Sequence, residues 1–391
     1  MATPHDFTAA PDQQTPLSAQ SPLILCGKTA LFVHRMRAAL RRPPLPYTTL
    51  DSLETSCYRA REFKQFQLSR ILSFEESELQ AVGLCFDGRA VTPDLVPSGQ
   101  GKYTYAHAVD LLVKSQKQRS TCKTLSQHLW SAPLTRHALQ SLGGDVLIQS
   151  PEFLVHFLLR RQRLDMVDVA AHLSYLCSPI TLLPQGLSDA RSGYRFASCA
   201  PLASPPRIDD YLADARGVRG VETLIRARNH LLTGVASPQE LIVGLILALP
   251  PSSQGLGHQG IVLNYRVTLT EAGRRLLASD GDGVSSSIPR SAVIDVYDPE
   301  SHMGFECQGE FDHLREVRQA IRDDNRKKAC ELAGIRLAYI KRGDLNNIPY
   351  LLNLHAQMCQ AAYGEDVSID SERVSSLQRL VGRLTNPNYL R

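Results

Sequence analysis

Glu306 and Gln308 stand in an apolar segment, MGFECQ, and Asp295 stands inside another, AVIDVYD. Side chains alternate across a strand, so Glu306 and Gln308 share one face while Phe305 and Cys307 take the other. A buried strand carries carboxylates only when a metal, a cation or a substrate compensates them. If Pro299–His302 form a four-residue hairpin loop, Asp298 pairs with Met303 and Asp295 falls opposite Glu306, on the face of Gln308. One further loop residue would put them on opposite faces. Two carboxylates placed together repel unless a hard cation lies between them, and Mg²⁺ (or Mn²⁺) held by one or two carboxylates with water and phosphate is the expected occupant. That is the chemistry of metal-assisted phosphodiester hydrolysis. The expected geometry brings the carboxylate oxygens within about 6 Å, and their repulsion raises at least one carboxyl pKa.

The surrounding elements must position these groups. ASPQELIVGLILAL reads as a helix with Ser237 as cap, Pro238 at its first position and Glu240 at its third, a capping box. It is apolar nearly all round, which predicts burial against a sheet and places Glu240 near the strand ends. Capping alone also accounts for Glu240. IVLNYRVTL reads as a strand before the loop SDGDGVSSS. After the hairpin, Leu314, Val317, Ile321, Ala329 and Leu332 form a helical stripe that Gly334 ends, and IRLAYI is a last buried strand. The other faces of that helix carry Arg315, Arg318, Arg322, Arg326, Lys327 and Lys328. Such a basic face is either solvated or, beside a metal site, a set of phosphate contacts. Asp323 and Arg326 also have the spacing of a surface helix pair.

Asp295, Glu306-Cys307-Gln308-Gly309, His313, Asp323-Asp324-Asn325-Arg326 and Leu332 with Gly334, preceded by Glu240, resemble the PD-(D/E)xK nuclease superfamily. The resemblance is to its very-short-patch-repair-endonuclease-like domain and covers roughly residues 215 to 345. It implies an Mg²⁺-dependent DNA endonuclease with a restriction-endonuclease-like mixed sheet flanked by helices. Glu240, Asp295, Glu306 and Gln308 would be catalytic. Asp295, Glu306 and the Cys307 carbonyl would ligate metal. His313, Asp323, Arg326, Arg322 and Lys327 would support the site or touch phosphate. The family's third motif position is acidic or Lys; here it is Gln308. A neutral amide orients a water but neither ionises it nor neutralises charge. The alternative is therefore a DNA-binding regulator with a degenerate core.

The N-terminal half resembles abortive-infection (AbiEi-type) antitoxins in SQHLWSAPL and DVLIQSPEFLVHFLL, which implies a cognate toxin as partner. Ser150 reads as the cap of a helix opened by Pro151. CGKTA lacks the first glycine of a phosphate loop, since Pro22 holds that place, so Gly27 is expected to make a turn. A chain of 391 residues with net charge +4 predicts two α/β domains without a polycationic surface. The division is expected at the Pro205-Pro206 pair: 1–20 disordered, 21–204 antitoxin-like, 205–391 nuclease-like. Residues 280 to 288 are also expected to be loose. Nine scattered cysteines without CxxC indicate reduced thiols and a cytoplasmic setting. No apolar run is long enough to span a bilayer.

Overall fold

The computed structural model describes residues 22–48, 68–82, 85–86, 89–90, 94–113, 123–143, 146–184, 194–278, 290–308 and 317–386. The segments expected to be loose, 1–20 and 280–288, lie outside the described residues, as do Gly309 and His313. The fold is α/β, and the chain divides into two compact units, residues 1–165 with 181–225 and residues 166–180 with 226–391. The division thus falls after residue 225 and not at 205. Pro205 and Pro206 open a helix, Pro205–Asp214, instead of loosening a linker. Proline lacks the N–H that a first helical turn leaves unused, so the pair starts structure here. Among the described residues no helix is long and apolar enough to cross a membrane, and the cysteines are free thiols.

The first unit holds a six-stranded sheet in the order Tyr47–Thr48, Leu139–Gly143, Val146–Gln149, Leu23–Leu25, Val109–Val113 and Leu125–Leu129. Ser150 caps the helix Pro151–Gln162 as expected, its hydroxyl accepting the Phe153 N–H at 3.1 Å. Gly27 opens another helix with φ +55°. Its N–H donates to Gln149 Oε1 at 3.0 Å, and the Thr29 N–H donates to Asp110 Oδ2 at 3.1 Å. A carboxylate therefore sits at the helix N-terminus, where a phosphate loop would hold its anion.

The second unit comprises α1 (Met166–Leu176), α2 (Pro238–Ala248), β1 (Val262–Thr268), α3 (Glu271–Ala278), β2 (Ser291–Asp298), β3 (Met303–Gln308), α4 (Val317–Glu331), β4 (Arg336–Lys341), α5 (Ile348–Tyr363) and α6 (Ser371–Leu384). Its sheet runs β1-β2-β3-β4, antiparallel except for the parallel β3–β4 pair that α4 connects. Val267, Leu269, Ala292, Ile294, Tyr297 and Leu337 pack with Ala329 and Cys330 of α4. On α2, Leu241, Val243, Leu245, Ile246 and Leu247 are buried, each worth about 1.5–3 kcal/mol of transfer free energy. Gly244 lets this helix come close: a Cβ there would lie 3.0 Å from Leu263 Cδ2. That packing holds the first turn of α2, with Glu240, against the sheet. At its described end the stripe on α4 stops short of Leu332. Ala329 and Cys330 are buried, but Leu332 is 50% exposed, because α4 ends at Glu331 and the chain turns at Gly334, φ +83°.

Candidate functional site

Asp298 pairs with Met303, Tyr297 with Gly304 and Val296 with Phe305, so the hairpin loop is Pro299–His302. The next step in register sets Asp295 opposite Glu306, and there the ladder stops. The Cys307 N–H donates to Asp295 Oδ2 at 2.8 Å. On the other edge of β2 the pairs run from Leu263–Val296 to Tyr265–Ile294 and skip Asn264. Asn264 has φ +51°, a left-handed conformation that asparagine adopts more readily than most residues. Its side-chain amide donates to the Gly234 carbonyl at 2.8 Å and to Glu240 Oε2 at 2.6 Å.

Plain alternation does not hold along the whole of β2. Ala292, Ile294 and Tyr297 all join one core cluster. Residues three apart on a regular strand point to opposite sides, so the phase of β2 slips across Asp295 and Val296. A hydrogen bond across the opened ladder, and not strict alternation, ties Asp295 to the Glu306-Cys307 segment.

Glu240 makes the first half of a capping box: its N–H donates to Ser237 Oγ at 3.2 Å. The carboxylate does not fold back on the Ser237 N–H. Oε2 takes the Ala236 N–H at 2.9 Å and the Asn264 amide.

The three carboxylates shift in the same direction. Burial, then the charge of Asp295, pushes Glu306 up to about 8, against the pull of Arg326 and with a smaller push from Asp323. Burial raises Asp295, opposed by the Cys307 N–H and by Arg326. Burial also raises Glu240, which feels Asp295 as well. The Cys307 thiol is pushed well up by burial and then by Asp295, Glu240 and Glu306. Contacts link the three: Asp295 bonds the residue after Glu306, and Asn264 of the neighbouring strand β1 holds Glu240.

Arg326 supplies the local positive charge. Its Nη2 donates to Glu306 Oε1 at 2.7 Å and also to the Val293 carbonyl. The guanidinium thus reaches across to β2 and β3 instead of serving only as the expected helical partner of Asp323, whose carbonyl accepts the Tyr339 hydroxyl at 2.9 Å. Lys327 is half-buried on α4, and Lys328 pairs with Asp324 at 2.6 Å. The side chain of Arg322 lies outside the described residues. Gln308 is half-buried at the end of β3.

Three contributors were not apparent from the residues alone. Asn264 holds Glu240 from 24 residues away; the polar residue inside IVLNYRVTL was the available signal. In the parallel β3–β4 register, Tyr339 partners Glu306 and exposed Lys341 partners Gln308. A parallel register between strands separated by a helix has no local sequence signature, so neither could have been placed beforehand.

Among the described residues, the group of three or more potential ligands whose donor atoms all fall within 4.8 Å of one another is His258, His355 and Cys359, not the carboxylates. No family profile, curated protein or solved structure matches this chain.

Proposed function

We propose that the second unit is a metal-dependent phosphodiester hydrolase acting on DNA, an endonuclease core or a diverged relative of one. The observation that carries this reading is that half-buried Asp295 bonds the residue after buried Glu306, while Asn264 of the neighbouring strand holds buried Glu240 and one guanidinium lies against Glu306. Glu306 is pushed up to about 8 although Arg326 lies against it, so the cluster lacks positive charge. Its donors are hard oxygens, which suit Mg²⁺ or Mn²⁺ better than a softer ion. Asp295, Glu306 and the Cys307 carbonyl are the residues that would hold the ion, with Glu240 beside them. When bound, the ion would polarise a phosphodiester and acidify a water.

The chain's own residues have separate tasks. The Cys307 N–H holds Asp295 by one oxygen, and Asn264 and the Ala236 N–H hold Glu240. Gln308 would orient the attacking water through its amide. Lys341, its register partner, would supply near that position the positive charge that Gln308 lacks. Arg326 would move from Glu306 to a backbone phosphate, and Lys327 and Arg322 extend the same basic helix.

A second reading has its own support. The Arg326 guanidinium, 2.7 Å from Glu306 Oε1, already occupies one proposed ligand, and Gln308 cannot ionise water. Both features suit a DNA-binding regulator, antitoxin-like in its first unit and paired with a toxin, whose core no longer cuts. Incubating supercoiled DNA with the full chain separates the two readings. Nicking that needs Mg²⁺ or Mn²⁺ supports the hydrolase. Binding without nicking supports the regulator.

A further inference from the structure

His258, His355 and Cys359 gather where neither reading of the carboxylate cluster has any use for them. His258 lies in the segment between α2 and β1; His355 and Cys359 stand four apart on α5, one turn above each other on one face. All three are buried, at 4%, 5% and 9% exposure. Their candidate ligand atoms all lie within 4.8 Å of one another. We propose that these three side chains bind a divalent transition-metal ion of the zinc class, which ties the α2–β1 segment to α5.

The donor set selects the ion. Two imidazoles and a thiolate are borderline-soft ligands that suit Zn²⁺ and disfavour Mg²⁺. Donors arranged tetrahedrally around Zn²⁺ lie about 3.3–3.8 Å apart, given its usual bond lengths. Cys359 Sγ is 3.7 Å from His355 Nδ1, inside that window. His258 Nε2 is 2.8 Å from His355 Nδ1, the distance of a hydrogen bond. At that separation one proton bridges the two rings, and an ion would take its place with a small opening of the pair. A carboxylate stands behind the site as well: His258 Nδ1 lies 3.7 Å from Asp298 Oδ2, and Asp298 is fully buried and held by the Ser301 hydroxyl at 2.5 Å. Carboxylates in that position orient metal-ligating histidines and raise their basicity. Three protein ligands leave one coordination position for water.

Arg373 sets the opposing force. Its Nη2 is 3.3 Å from His355 Nε2. Guanidinium only donates, so His355 Nε2 accepts, Nδ1 carries the ring proton and donates to His258 Nε2, and His258 presents Nδ1–H to Asp298. Ligation through His355 Nδ1 moves that ring's proton to Nε2, where it faces Arg373, so Arg373 must turn away toward the Leu256 carbonyl, already 3.3 Å distant. Cys359 loses its thiol proton to solvent, and one proton is released for each ion bound. Arg373 therefore competes with the ion.

Cobalt substitution tests the site. The full chain is stripped with a chelator, shown to be folded by circular dichroism, and titrated with Co²⁺ and then Zn²⁺. The expected result is a thiolate-to-cobalt charge-transfer band that saturates at one equivalent and is displaced by Zn²⁺. Cys359→Ser should abolish the band, while Arg373→Ala should keep it and tighten Zn²⁺ binding. Absence of the band in the folded wild-type chain, or its persistence in Cys359→Ser, overturns the proposal and leaves a hydrogen-bonded chain from Arg373 through His355 to His258. If Cys359→Ser does not fold, the wild-type band and its stoichiometry still decide.

Discussion

Asp295 accepts the backbone N–H of Cys307 through Oδ2 at 2.8 Å. A side chain thereby takes the place of a ladder carbonyl at the point where β2 and β3 part. One bond fixes the Asp295 carboxylate and opens the sheet beside Glu306. Asp295→Asn keeps the shape and offers either an oxygen or an amide to that N–H. It should fold with a loss of about 1–2 kcal/mol, in the range of a hydrogen bond to a charged group reduced to a neutral one, and chemical denaturation measures it.

The carboxyl cluster makes stability depend on pH in a set direction. Glu306 is pushed up from an ordinary value of 4.5 to about 8, and Asp295 and Glu240 move the same way. Between those two values the folded chain holds a proton on Glu306 that the unfolded chain has lost. Stability contributed by the protonated group is full below about 4.5 and declines as pH rises through about 8. Thermal unfolding in the presence of a chelator should show that decline, and Glu306→Gln should flatten it. Mg²⁺ should restore stability at the alkaline end in the wild type and much less in Glu306→Gln. A wild-type profile already flat across the window would contradict the raised value.

Asn264 combines an uncommon backbone with two bonds. Asn264→Ala loses the amide that holds Glu240 and the Gly234 carbonyl and keeps a φ of +51° that alanine tolerates poorly. A destabilisation of about 2–4 kcal/mol is expected. Asn264→Gly relieves the backbone but not the bonds and should recover part of it. Urea unfolding of the two variants separates the contributions.

The basic helix and Lys341 give a salt signature. If they meet phosphates, log affinity for DNA falls linearly with log salt. Replacing Arg322 and Lys327 with alanine should reduce that slope by about one for each phosphate no longer neutralised. Lys341→Ala should reduce nicking more than binding if its charge acts beside Gln308. An affinity independent of salt would leave α4 as a solvated face.

Much of the second unit was legible because local rules govern it. The helix start at Ser237 and Pro238, the strands around Asp295 and Glu306 and the register of their hairpin follow from capping chemistry, apolar patterning and loop length. Three things were hidden, each for a physical reason. The phase slip at Asp295 lies beside Asn264, whose left-handed backbone in another strand no local pattern announces. Arg326 reaches a carboxylate across the sheet, because a buried charge needs compensation more than an exposed one such as a surface helix pair does. The division at 225 rather than 205 reflects Pro205-Pro206 starting a helix, which composition cannot distinguish from a linker. In the first unit the order of a six-stranded sheet with non-sequential neighbours leaves no trace in periodicity.

The most direct test of the central claim is plasmid nicking by the full chain with Mg²⁺ or Mn²⁺, compared with Glu306→Ala prepared identically. Glu306→Ala removes a carboxylate that burial and Asp295 disfavour, so the variant is expected to stay folded. Hydrolysis at this cluster predicts cation-dependent conversion of supercoiled to open-circular DNA by the wild type, abolished by chelator and by Glu306→Ala. Equal background from both proteins would contradict it.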